Sequence, residues 1–67
     1  MEELKNEIEL IGGDLFDTSD GIFVRAYSQS EVKQIQALFK KYPQYRLGCF
    51  KECNLYNWYY YEALIIE

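Results

Sequence analysis

The chain has no histidine, one proline, one methionine, four glycines and two cysteines in 67 residues. Without histidine, the commonest general base and metal ligand is missing. Two thiols with no other soft ligand make no zinc site, and Cys49 and Cys53 are not spaced as a redox pair. If residues 45–53 form one strand, these cysteines share a face about 13 Å apart, beyond the ~7 Å Cα reach of a disulfide. They are expected as reduced, mostly buried thiols. No apolar run approaches the ~18 residues of a membrane span. The start, Met1-Glu2-Glu3-Leu4-Lys5, lacks the basic and apolar stretches of a signal peptide, so a cytoplasmic location is expected. Basic charge is also scarce: seven Lys and Arg stand against eleven Asp and Glu, a net of −4. Binding to a nucleic-acid backbone needs a positive footprint, so DNA or RNA is not expected as a direct ligand.

What the chain has is aromatic side chains: seven Tyr, four Phe and one Trp, or 18% of residues. A domain of this length buries only about 60% of the surface its unfolded chain exposes. Its core is then one thin layer between sheet and helix, with little volume for a deep cavity. Twelve rings exceed what such a layer hides, so some should face a partner. The charge is uneven as well. Glu2, Glu3, Glu7, Glu9, Asp14, Asp17 and Asp20 meet only Lys5 in residues 1–20, a net of −6, whereas residues 21–67 carry +2. That asymmetry suits a basic partner surface, although acidity also serves simply to keep a small domain soluble.

Residues 2–11 place Leu4, Ile8 and Ile11 at helical spacing, with Glu2 and Glu3 at the start and Gly12-Gly13 as a stop. The alternation in Ile8-Glu9-Leu10 also admits a strand. Asp14 to Tyr27 reads as a hairpin turning at Ser19-Asp20-Gly21, with a short acidic edge arm. Residues 29–41 form the clearest element. Ser28 and Glu31 fit a capping box, Val32, Ile35, Leu38 and Phe39 share a face, and Pro43 blocks continuation. Residues 45–53 and 56–66 read as a second hairpin, turning between Asn54 and Asn57. In the last strand Trp58, Tyr60, Glu62, Leu64 and Ile66 share one face, and Tyr59, Tyr61, Ala63 and Ile65 the other. One helix covers only one of these faces. The other must meet the N-terminal segment, its own rings or a partner.

Short motifs are present but lack their context. Asp14-Leu15-Phe16-Asp17-Thr18 resembles the first motif of the haloacid dehalogenase-like phosphatases, which would make Asp14 a nucleophile. The resemblance covers five residues. Gly12-Gly13 stand where that motif's buried strand should be, and 67 residues cannot form the family's doubly wound sheet. Asp14, Asp17 and Asp20 recur every third residue, unlike the 1, 3, 5 and 12 spacing of a calcium loop. Glu62, the sole carboxylate in the C-terminal aromatic run, has no accompanying nucleophile, base and orienting group.

The fold expected is α+β: a single domain with one antiparallel sheet packed on one main helix, ordered αββαββ, or ββαββ if the first segment is not helical. No enzyme activity, cofactor or metal is expected. The partner expected is another protein with a basic surface, contacted by Glu7, Asp14, Asp17 and Asp20 with Trp58, Tyr59 and Tyr61 as anchors. By analogy of type, such a domain suits a phage- or mobile-element inhibitor that occupies the nucleic-acid site of a host CRISPR or restriction nuclease. The alternatives are a single-strand nucleic-acid platform using ringed sheet positions and a homo-oligomeric piece in which a second copy is the partner.

Overall fold

The computed structural model describes residues 1–66. Its elements run α1 (Glu2–Ile11), β1 (Asp14–Thr18), β2 (Gly21–Ala26), α2 (Gln29–Leu38), a 3-10 turn (Phe39–Lys41), β3 (Arg46–Leu47), β4 (Lys51–Leu55) and β5 (Trp58–Ile66). The expected αββαββ order holds if β3 and β4 count as one interrupted strand. All pairings are antiparallel, and the sheet runs β1-β2-β5, with β3 and β4 end to end along the far edge of β5.

The first segment is helical, as its apolar spacing predicts. Leu4 and Ile8 are fully buried, and Gly12 closes the helix at φ 111°, a left-handed conformation. Gly13 is needed for a different reason. A Cβ there would lie 2.6 Å from the backbone oxygen of Arg25, so the chain can leave α1 this close to β2 only without a side chain. The turn at Ser19-Asp20 is held by the Thr18 hydroxyl, which donates to the Gly21 carbonyl at 2.8 Å and accepts from the Asp20 amide at 3.2 Å.

The capping box of α2 is half as expected. The Ser28 hydroxyl accepts from the Glu31 amide at 3.2 Å, but Glu31 reaches past Ser28 and accepts from the Tyr27 amide at 2.8 Å. The helix also ends earlier than the periodicity predicts. Its last turn tightens into the 3-10 segment, because Pro43 leaves no amide to extend the α-helical ladder.

One core joins both helices to one face of the sheet. Leu4 and Ile8 from α1, Ile35 and Leu38 from α2 and Phe39 after it pack on Val24, Ala26, Ala63 and Ile65. Val32, expected in this face, lies partly buried at its margin. The N-terminal helix therefore shares the work of the main helix. It leaves the second sheet face, bearing Phe23, Arg25, Tyr60, Glu62 and Leu64, uncovered. The molecule measures 34 by 27 by 19 Å along its principal axes.

The expected strand over 45–53 is broken. Leu47 pairs with Ile65 and Lys51 with Glu62, so residues 48–50 face only residues 63 and 64, one extra residue on the outer strand. The Gly48 amide donates to the Leu64 carbonyl at 2.8 Å within this bulge. The final turn is also tighter than expected, a two-residue connection at Tyr56-Asn57 between the paired Leu55 and Trp58. The cysteines differ from expectation too. Cys49 is exposed on the bulge and Cys53 is half-exposed, because both stand on the side of the sheet that no helix covers.

Candidate functional site

Strand alternation sorts the uncovered face. β1 contributes Asp14, Phe16 and Thr18, and β2 contributes Phe23 and Arg25. β5 contributes Trp58, Tyr60, Glu62, Leu64 and Ile66, and β4 contributes Lys51, Cys53 and Leu55. Arg25 is the fixed point at the centre. Its Nε donates to Glu62 Oε2 at 2.9 Å, and its guanidinium lies 4.8 Å from the Phe16 ring centroid and 4.4 Å from that of Tyr60. The hydrogen bond that Arg25 donates to Glu62 holds the Arg25 pKa above its ordinary value.

A single cross-strand row runs through this pair. Asp14 is opposite Arg25, Arg25 opposite Glu62, and Glu62 opposite Lys51. β1, β2, β5 and β4 thus contribute one charge each, alternating negative, positive, negative, positive. The next row is apolar, with Phe16 opposite Phe23 and Phe23 opposite Leu64. Beside it an open groove of about 380 Å³ is lined by Phe23, Cys49, Lys51, Cys53, Glu62 and Leu64 among others. In the other direction Tyr60, Cys53, Trp58 and Leu55 carry the face out along the β4–β5 hairpin.

That hairpin outreaches the sheet. β2 ends with Ala26 opposite Tyr61, so Trp58, Tyr59 and Tyr60 pair with β4 alone. Trp58 is 71% exposed, Tyr59 62% and Tyr56 92%, with Tyr56 at φ 59°, a conformation bulky side chains rarely adopt. A two-stranded ribbon without a covering layer is marginal by itself.

The residues expected to form one site fall into three places. Asp14 stands on the uncovered face, where its carboxylate accepts a hydrogen bond from the Tyr27 hydroxyl. Asp17 and Asp20 are exposed, Asp17 on the helix side of the edge strand near Lys5 and Asp20 in the turn. Glu7 accepts from the Tyr42 hydroxyl and lines an open groove of about 440 Å³ between the helices, beside Leu10 and Lys41. These bonds push both tyrosine pKa values up to about 12, because each hydroxyl is held by a carboxylate. Trp58 and Tyr59 lie on the projecting ribbon. Asp20 is at the opposite end of the strands, roughly 25 Å away at ~3.3 Å per residue. Tyr61 packs against the core. The rings that do neighbour the acidic edge are Phe16 and Tyr27, which composition alone did not single out.

Part of the acidic set gathers all the same. α1 packs over β1, where Glu2 lines a shallow groove with Lys5 and Asp17; Glu9 and Asp20 are exposed as well, whereas Glu3 is exposed on the α2 side, near Tyr42. The only salt bridge among the described residues is Arg25–Glu62, so none of these carboxylates has an ion-pair partner among them. No group of His, Cys, Asp and Glu side chains among the described residues is arranged to hold a metal ion. No described helix is long and apolar enough to cross a membrane. The chain matches no protein-family model, no curated protein and no solved structure.

Proposed function

We propose that this chain is a protein-binding domain whose acidic α1–β1 side engages a basic surface on another protein. The observation that carries the reading is the set of four exposed carboxylates on α1, β1 and the turn after it, Glu2, Glu9, Asp17 and Asp20, none in a salt bridge among the described residues. Unpaired surface charge of one sign steers encounter and orients a partner, while rings supply contact energy. The basic surface that best matches a stretch of spaced carboxylates is one shaped for a phosphate backbone, and inhibition of a nuclease by occupying that surface follows from the same chemistry.

The test compares the parent with a variant carrying Glu2 and Glu9 changed to Gln and Asp17 and Asp20 changed to Asn. The parent should capture a nucleic-acid-binding enzyme and release its nucleic acid in competition. The variant should associate with that enzyme at least about tenfold more slowly at low salt. Equal association rates would refute the reading, and so would a parent that binds single-stranded nucleic acid itself with a steep salt dependence.

A further inference from the structure

We infer that the uncovered sheet face binds a second copy of this chain, about a two-fold axis running along the strands between the two sheets. The argument is independent of the acidic side, which lies on α1 and the helix-facing edge of β1 and stays outside such a dimer. It rests on the order of charge in the central row. From the β1 edge inward the row reads Asp14, Arg25, Glu62, Lys51. A two-fold axis along the strands places each position of the row over its mirror position in the other copy. Asp14 then meets Lys51 of the second copy, and Arg25 meets its Glu62. Each contact occurs twice, as an isologous interface requires. Every charge in the row finds its opposite because the pattern is antisymmetric about its centre.

The alternative axis, across the strands, stacks Asp14 on Asp14 and Lys51 on Lys51, and like charges in contact disfavour that arrangement. The charge order therefore selects one orientation. The flanking row agrees with it, because each row meets itself. Phe23 faces Leu64 of the second copy in the apolar row, while the two projecting ribbons, which have no β1 or β2 beside them, lie outside the contact. Fixing of Arg25 by the Phe16 and Tyr60 rings leaves the row ordered before contact, so little side-chain freedom is lost on docking.

Sheets packed face to face with their strands nearly aligned are a common arrangement, and an axis along the strands gives that alignment.

Sedimentation and light scattering over a dilution series should show the parent at twice the chain mass. Lys51→Glu sets acid against acid at two symmetry-related contacts and should weaken the dimer about tenfold or more. Asp14→Lys should do the same with bases. Mixed together, the two variants should reassociate as a heterodimer, because the Lys substituted at position 14 of one meets the Glu substituted at position 51 of the other. Circular dichroism confirms that each variant is folded. If Asp14→Lys alone does not fold, Lys51→Glu at an exposed edge position decides by itself. A parent that stays monomeric at every concentration overturns the inference. So does a Lys51→Glu variant that dimerises like the parent, or a mixture of two folded variants that stays monomeric.

Discussion

Gly13→Ala puts the packing of α1 on the sheet to a test in which the sign of the effect decides. At an unconstrained position, replacing glycine by alanine stabilises by about 0.4–1 kcal/mol, because the unfolded chain has fewer conformations to lose. At Gly13 the new Cβ would stand 2.6 Å from the Arg25 carbonyl oxygen, 3.1 Å from Ile35 Cδ1 and 3.2 Å from Ile8 Cγ2. The isoleucine ends can turn aside. The carbonyl cannot, since Arg25 is paired on both sides, with Asp14 and with Glu62. Relief requires α1 to lift from the core that Leu4 and Ile8 fill. Overpacking of this kind costs about 1–3 kcal/mol, which outweighs the unfolded-state gain. A domain of this size has a total stability of roughly 3–10 kcal/mol. Thermal unfolding followed by circular dichroism should show Tm lowered by roughly 5–20 °C. Gly48→Ala is the control: its nearest neighbour would be the Leu64 carbonyl oxygen at 3.2 Å, so its loss should be smaller. A Gly13→Ala protein as stable as the parent, or more so, would refute the placement of α1 against β2.

Leu38→Ala, in the buried face of α2, should cost about 2–5 kcal/mol in a denaturant titration, and an unchanged midpoint would show that this face is not core. Tyrosinate absorbance should reveal two late-ionising groups near pH 12, Tyr27 and Tyr42, with Tyr27→Phe and Tyr42→Phe each removing one. Because both folded-state values lie above the ordinary 10, these two bonds stabilise fully below about pH 10, and their contribution disappears as pH rises through about 12. Both thiols should react with a thiol reagent in the native state, Cys49 before Cys53, and protection of both until unfolding would contradict their placement on the open side.

Local signals in the sequence were sufficient for most of the elements. The i, i+4, i+7 spacing of Leu4, Ile8 and Ile11 located α1, and the alternation of β5 correctly divided Trp58, Tyr60, Glu62 and Leu64 from Tyr59, Tyr61, Ala63 and Ile65. Gly21 marked its turn and takes φ 134° there. What local pattern could not supply was relative placement. Asp14, Asp17 and Asp20 are close in sequence, yet alternation turns Asp14 to the opposite side of the strand from Asp17. Trp58 and Tyr59 are distant from all three because β5 runs past the end of β2. The charge row was invisible for the same reason, since its four members sit on four strands and meet only through three separate registers. The exposure of the cysteines was not legible either, because strand alternation sorts residues onto two sides but does not show which side the helices leave bare.

The one-residue excess at 48–50 works as a parity switch for everything downstream on that edge. If the pairing of Arg46 and Leu47 continued without it, Phe50 would oppose Glu62, and Lys51 would oppose Tyr61. Lys51, Cys53 and Leu55 would then turn toward the helices, while Phe50, now packed at the margin of the core, would turn outward. The number of residues in this segment thus carries more structural information than their identity. Exchanging Cys49 for another small residue leaves every side chain on its present side, whereas deleting it exchanges the two faces of β4.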